Sequence, residues 1–229
     1  MSPDREGLVE AGKRALAVAH DLGTPLQALR ANVQLLRERT QDAGTLKLLA
    51  EMDEASTLMA GTVADLKSLA VDVPAQRLHI GPVLERALRV AGPAMRARGI
   101  QASTTIAAGV PHVWGAANEL RRVFTVLLEN AAEAMEATPL DRRLLRAGVS
   151  AVGGRVVVEV QDWGSGMAPE VLDRAFELGF STKGRQGGGV GLHGARAIVL
   201  AHGGELVLMS QVGVGTMARV FLPVAAEAA

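Results

Sequence analysis

The chain has 229 residues, with 24 Lys and Arg against 24 Asp and Glu, so its formal net charge is zero. That balance argues against a general nucleic-acid binder, which carries a basic excess, and the absence of Cys excludes disulfides, zinc–thiolate sites and thiol nucleophiles. Hydrophobic residues make up 48% of the chain, which excludes global disorder. The longest unbroken apolar runs span five residues, 15–19 and 197–201, whereas a membrane span needs roughly 20. Lys13 and Arg14 interrupt any N-terminal apolar stretch, so no signal peptide is read there. The expected setting is the cytoplasm, with no membrane span and no nucleic acid.

Residues 8–71 contain one Pro and four Gly in a Leu- and Ala-rich background. Apolar residues at 15, 19, 22, 26, 29, 33 and 36 alternate by four and three, a heptad seam on a helix. A second seam runs through 48, 52, 55, 59, 62, 66 and 69, with Thr62 its one polar member. Gln41-Asp42-Ala43-Gly44-Thr45 between them reads as a tight reversal, so an antiparallel helical hairpin is expected. Two such helices cannot bury both seams, and a homodimeric four-helix bundle would.

Val73-Pro74-Ala75-Gln76 reads as the linker, which divides the chain into 1–73 and 74–229. Beyond it the pattern is mixed. Residues 81–98 read as a helix with Pro82 in its first turn and Gly99 past its end. Residues 101–106 read as a short strand, 118–136 as a helix, 156–160 as a buried strand and 190–202 as a helix ending at Gly203-Gly204. Residues 205–210 and 216–222 form a last hairpin around Gly213-Val214-Gly215. The second segment is therefore an α+β domain.

Four constellations carry possible chemistry. His20-Asp21-Leu22-Gly23-Thr24-Pro25 places a His beside the seam, facing solvent, one turn before a helix-kinking Pro. A neutral imidazole is a competent nucleophile, and Asp21 can orient it or take its proton; a surface His beside an ordinary kink fits the same residues. Asn130 and Glu133 share one helix face and offer oxygens to a hard cation such as Mg²⁺, although a solvated helix face explains them more simply. Asp162-Trp163-Gly164-Ser165-Gly166, after a buried strand, sets a carboxylate where it can accept from an exocyclic amine; a plain turn has the same composition. Gly187-Gly188-Gly189-Val190-Gly191-Leu192 leads bare amides into a helix, an anion-binding arrangement with Lys183 and Arg185 just before it. A flexible linker is the other reading, and it is disfavoured because the glycines abut an apolar helix. His193 and His202 read as helix-surface and helix-terminal residues, the latter where a cation suits the helix dipole.

The order and wording of these segments resemble the catalytic core of two-component sensor histidine kinases over roughly residues 10–224. His20–Leu26 is similar to that family's H box, Asn118–Met135 to its N box, and Asp162-Trp-Gly-Ser-Gly to its G1 box. Phe176-Glu-Leu-Gly-Phe-Ser-Thr-Lys183 is similar to the F box, Gly187–Leu192 to G2, and Gly213-Val-Gly-Thr216 with Phe221-Leu-Pro223 to the last glycine box and closing strand. The wording of the N and F boxes is nearest to nitrogen-regulation-type kinases.

The resemblance implies a dimerisation and phosphotransfer domain followed by a Bergerat-type (GHKL) α+β sandwich that binds ATP and Mg²⁺. It implies that His20 accepts the γ-phosphoryl group, that Asp21 assists as base, and that Asn130 binds Mg²⁺. It further implies that Asp162 meets the adenine amine and that Gly164 and Gly166 shape the base pocket. Gly187, Gly189, Gly191 and Leu192 would lie over the phosphates, Lys183 would touch phosphate, and Thr216 would support the adenine end. Asp21 and Thr24 match the pattern for dephosphorylating a response regulator, so a receiver domain is the implied partner, with a separate sensory protein as one source of input. Two positions depart from the pattern: Val126 stands where many members have a second Asn, and Gly23 where a basic or amide residue is common. Val126 also excludes the gyrase-type ATPases, which place a water-activating Glu there. It keeps open an ATP-binding dimeric scaffold or a phosphatase-dominant pseudokinase.

Overall fold

A computed structural model describes residues 18, 21–23, 25–26, 28–29, 31–70, 75–182 and 189–225. The chain divides into two compact units, one of Met1–Val73 with Gly179–Val190, the other of Pro74–Leu178 with Gly191–Ala229. Among the described residues no helix is long and apolar enough to cross a membrane.

The first unit contains α1, whose described helical residues end in the run 31–39, and α2 (Ala43–Ala70). Asp42 starts α2. Its Oδ2 accepts from the Thr45 amide at 2.8 Å and the Thr45 hydroxyl at 2.8 Å, an N-cap that leaves Thr45 inside the helix rather than in the turn. Those bonds hold the Asp42 carboxyl below its ordinary value of 3.8, the backbone donor foremost. Arg37 reaches Asp53 across the reversal at 3.6 Å, so the two helices run side by side.

The seam on α2 differs from expectation. Leu49, Ala50, Ser56 and Val63 are buried, together with Val33 on α1. Leu48, Met52 and Met59 lie exposed, as do Leu22 and Leu36. The buried stripe repeats every seven residues at 49, 56 and 63, one residue on from the expected line. One residue is a 100° turn of a helix, so Leu48, Met52, Ala55 and Met59 of the expected second seam point outward. The side chains of 62, 66 and 69 lie outside the described residues, as do Ala15 and Ala19.

The second unit runs β1 (Gln76–Leu78), α3 (Ile80–Ala97), β2 (Gln101–Ile106), β3 (Val113–Gly115) and α4 (Ala117–Ala134). After a short 3₁₀ turn come β4 (Leu144–Val152), β5 (Arg155–Asp162), α5 (Pro169–Arg174), α6 (Gly191–Ala201), β6 (Glu205–Gln211) and β7 (Gly215–Pro223). The main sheet has the order β2-β4-β5-β7-β6. Its β2–β4 pair is parallel and the other pairs are antiparallel. β1 and β3 form a separate two-stranded ribbon.

The sheet alternates as a half-covered sheet must. Leu145, Ala147 and Val149, then Val156, Val158 and Val160, then Ala218, Val220 and Leu222, point to one face and are buried. Their covering is the apolar stripe of α4, Leu120, Val123, Phe124, Leu127, Leu128 and Ala131, flanked by Ile80, Leu84 and Ala87 of α3 and Ala195 and Val199 of α6. The result is a two-layer α/β sandwich. Each large side chain such as Phe124, fully buried, contributes about 1.5–3 kcal/mol from burial.

Two helix ends follow their glycines closely. Gly99 takes φ +67, and the Gly99 and Ile100 amides donate to Arg96 and Met95 at 2.9 and 3.0 Å. Gly203 (φ +68) ends α6 identically, with Gly203 and Gly204 donating to Leu200 and Val199, both at 2.9 Å. Both are Schellman closures. Strands β1, β3 and β4 and helix α5 are not expected from the sequence.

Candidate active site

Asp162 is the last residue of β5 rather than a residue beyond it, and it is 5% exposed. Its Oδ1 accepts from the Gly164 amide at 2.8 Å and the Thr216 amide at 3.3 Å. Burial pushes the carboxyl up to about 6, against the pull of those two amides. No described residue donates to Oδ2, which leaves that oxygen for an external N–H donor.

The glycines around Asp162 are required by close backbone approach. A Cβ on Gly164 would stand 2.6 Å from the Ala134 carbonyl at the end of α4. Gly166 has φ +65, and a Cβ there would run into the Gln211 carbonyl. Gly215 has φ +130 and lies against the Asp162 carbonyl. The loop is tied on both sides: Ser165 donates to Ala134 at 3.0 Å, and Gly213 donates to Ser165 at 2.8 Å. The structure thus brings Asp162, Gly164, Gly166 and Thr216 together, with the C-terminal end of α4 packed against them. Trp163 lies under the Arg146 guanidinium, 5.6 Å from its ring centroid.

Asn130 lies half-buried in α4 one turn before that end, with Glu133 on the same face. Val126, a turn earlier, packs toward the start of α6, since a Cβ on Gly191 would be 3.3 Å from Val126 Cγ1. Gly191 opens α6, and the following Leu192 packs against the core. Gly189 takes φ +59, and its carbonyl accepts from the Gly179 amide at 3.1 Å. Asp21 is an exposed residue of α1. His20, Thr24, Lys183 and Gly187 lie outside the described residues.

Two histidines gain specific partners. His193 remains a surface residue, and its Nδ1 hydrogen-bonds the Phe176 carbonyl at 3.0 Å. His202 stands directly after the last residue of α6, at the helix end where the sequence places it. Its side chain is 6% exposed, Nδ1 is 2.8 Å from the Ile198 carbonyl, and Nε2 accepts from the Ala116 amide at 3.0 Å. Sequence reasoning also misses Ser210 of β6, whose hydroxyl accepts from the Met167 amide at 2.8 Å and meets Thr216 Oγ1 at 2.8 Å. Only the pairing of β6 with β7, which sets Ser210 opposite Thr216, exposes it.

Residues 115–226 match the family described as histidine kinase-, DNA gyrase B-, and HSP90-like ATPase. The chain is 28% identical over 223 residues to the sensor histidine kinase ZraS of Escherichia coli (strain K12), an alignment covering 96% of this chain and 47% of that protein. It is 31% identical over 233 residues to the methanogenesis regulatory histidine kinase FilI of Methanothrix harundinacea (strain 6Ac), covering 96% of this chain and 26% of the relative. The chain therefore spans half or less of these relatives' lengths. In fold it is similar to full-length ShkA solved in complex with AMPPNP, with a TM-score of 0.67 at 22% identity, covering 94% of this chain and 46% of that one. Residues 115–226 are thus similar to the histidine kinase-, DNA gyrase B- and HSP90-like ATPases, and almost the whole chain is similar in sequence to part of proteins named sensor histidine kinases.

Proposed function

We propose that this chain is an ATP-dependent protein-histidine kinase that phosphorylates its own His20 and passes the phosphoryl group to an Asp of a response-regulator receiver domain. The observation that carries the reading is the buried Asp162 carboxylate, one oxygen committed to Gly164 and Thr216 and the other left for a donor. A carboxylate so placed reads an exocyclic amine such as that of adenine. The glycines at 164 and 166 leave room where any Cβ would meet the Ala134 or Gln211 carbonyl.

In this reading residues 74–229 bind the nucleotide and residues 1–73 carry the acceptor. Asn130 offers its amide oxygen to Mg²⁺, which neutralises charge on the phosphates when bound. Its half-buried place on α4, beside Glu133, suits a hard cation with oxygen ligands. Gly189 and Gly191, with Gly187, Leu192 and Lys183, cover the phosphates, and bare amides there favour anions. His20 attacks as the neutral imidazole and Asp21 takes its proton. Thr24, with Asp21, serves the opposing reaction, dephosphorylation of the regulator.

The exposed Leu22, Leu36, Leu48, Met52 and Met59 support a second copy as the cover for this stripe, giving a homodimeric four-helix bundle. Input arrives from a sensory region or a separate sensory protein. A second reading, a scaffold or phosphatase-dominant pseudokinase, draws on Val126, which sets an apolar side chain against Gly191 at the start of α6.

Labelling with γ-labelled ATP and Mg²⁺ tests the choice, with a His20→Ala variant alongside. The kinase reading expects an acid-labile, alkali-stable label that the variant lacks. ATP binding without any label would overturn autokinase activity in favour of the second reading.

A further inference from the structure

We propose that His79 and His112 form a two-imidazole site for a transition-metal dication of the Ni²⁺, Cu²⁺ and Zn²⁺ class, which ties β1 to β3. The site stands apart from the ATP reading and uses none of its residues.

The ribbon sets the two histidines together. β1 and β3 run antiparallel with Leu78 opposite Val113, so one step further along His79 stands across from His112. Residues two apart on a strand share a face. The pair therefore lies on the side of the exposed Arg77 and Trp114, away from the buried Leu78 and Val113. His79 is exposed and His112 half-buried. Their ring centroids are 3.8 Å apart and the ring planes tilt by 40°. His79 is the N-cap residue of α3, yet its side chain caps nothing. Among the described residues no group hydrogen-bonds either ring. His193 and His202, by contrast, commit ring nitrogens to carbonyls.

A neutral imidazole offers one lone-pair nitrogen. His112 is held below its ordinary value of 6.5, by loss of hydration first and then by the charges of His79 and Arg77. Metal ligation needs that unprotonated form. Two imidazole nitrogens on a tetrahedral ion, with bonds of about 2.0–2.1 Å, lie about 3.3 Å apart. Rings with centroids at 3.8 Å are within a side-chain rotation of that spacing, and no hydrogen bond restrains either one. Imidazole suits this class of ion, whereas Mg²⁺ takes oxygen ligands. Among the described residues no three His, Asp or Glu side chains converge on one point. Water therefore completes the coordination and the ion stays exchangeable. An ion shared by both rings would fix the first strand after the linker at 73–76. The same end is already tied to the C-terminal segment, because the His112 carbonyl accepts from the Ala225 amide at 2.8 Å.

Calorimetric titration of the nucleotide-free full chain with Ni²⁺ at pH 7.5 tests the site. The wild type should bind one ion per pair. His79→Gln and His112→Gln should each weaken that binding by about ten-fold or more, since even the outer partners of a metal ligand are worth 10–100-fold. Binding at other histidines would survive both substitutions, so unchanged affinity overturns the proposal. Loss of one of two equivalents in each variant would mean two separate sites and overturns the shared one. Arg77→Gln removes a like charge from the same face and should tighten binding by about two- to five-fold. A merely structural role for the pair gives no such gain, and equal or weaker binding would place the ion elsewhere. Should a variant fail to fold, paramagnetic broadening by Ni²⁺ in amide spectra of the wild type decides. Broadening must centre on Leu78, His79, His112 and Val113. Broadening centred elsewhere, or no binding by the wild type, overturns the assignment.

Discussion

The backbone amide of Ala116 donates to Nε2 of His202, 86 residues away, at 3.0 Å. The bond ties the N-terminus of α4, which bears Asn130, to the last turn of α6, which follows the glycine-rich segment. No side chain of its own caps α4, so the imidazole caps it from another element. Gly115 makes room for it, because a Cβ there would lie 2.6 Å from His202 Cδ2. His202→Ala leaves a buried N–H unpaired and a cavity, and should cost about 2–4 kcal/mol. Gly115→Ala should cost about 1–3 kcal/mol through overpacking. In the double variant the methyl occupies the space the ring vacates, so urea unfolding should give less than the summed loss, with a coupling of about 0.5–3 kcal/mol. Strict additivity would show that the two positions are not in contact.

Asp162 links stability and binding with opposite signs. Burial raises its carboxyl from 3.8 to about 6. Between those values the folded chain binds more protons than the unfolded chain. The contribution is therefore fully present below about pH 4 and is lost as pH rises through 6. The loss is on the order of 3 kcal/mol. Asp162→Asn removes this dependence, so the ligand-free variant should gain stability relative to wild type between pH 4.5 and 7.5. A difference in unfolding free energy that stays constant over that range would refute the shift. Nucleotide affinity should run the other way, because an amine donor needs the ionised carboxylate. ATP binding to the wild type should weaken as pH falls below about 6.

The helices and glycine turns are legible in the sequence because their signals are local. The stripe Leu120, Phe124, Leu127, Leu128 and Ala131 repeats with helical period, and Gly99 and Gly203 end their helices within the same few residues. Asp162-x-Gly-x-Gly likewise states its own turn. What escapes depends on distant chain. The core-facing residues Leu145, Ala147 and Val149 of β4 alternate with Arg146, Gly148 and Ser150, a dilute pattern beside the valine-rich run of β5. β1 and β3 are too short to show a period and exist through their pairing with each other. Ser210 and His202 gain their partners only from strand register and helix packing. The buried line of α2 lies one residue from the expected one because Ala50, Ala55 and Ser56 are small on either line, and side-chain size does not distinguish them.

Glycines 166 and 213 have similar backbone angles, φ +65 and +74, but different surroundings. Nothing lies within 4 Å of a Cβ built on Gly213, whereas one on Gly166 enters the Gln211 carbonyl. Gly213→Ala should lose only the left-handed penalty of about 1–2 kcal/mol. Gly166→Ala adds a backbone clash to that penalty and should lose at least about 1–3 kcal/mol more. Thermal unfolding of the two variants should separate them clearly. Equal losses would mean that the loop and β6 can move apart at no cost.

Arg143 closes two helices at once. Its Nε donates to the Thr138 carbonyl at 2.8 Å, Nη1 to Arg98 at 2.6 Å and Nη2 to Glu136 at 2.9 Å. Arg98 is the C-cap of α3, and Glu136 follows the C-cap of α4. Carbonyls left over at helix ends need donors, and a charge there also suits the negative end of the helix dipole. Arg143→Ala should therefore cost about 2–4 kcal/mol. Arg143→Lys keeps the charge but not the planar fork, and it should recover less than half of that loss. The end of α4 also bears the Ala134 carbonyl that receives Ser165. Loosening it should weaken ATP binding as well as stability, and a titration of Arg143→Lys against ATP reads this directly. Wild-type stability in Arg143→Lys would assign the whole effect to charge and none to the three-carbonyl geometry.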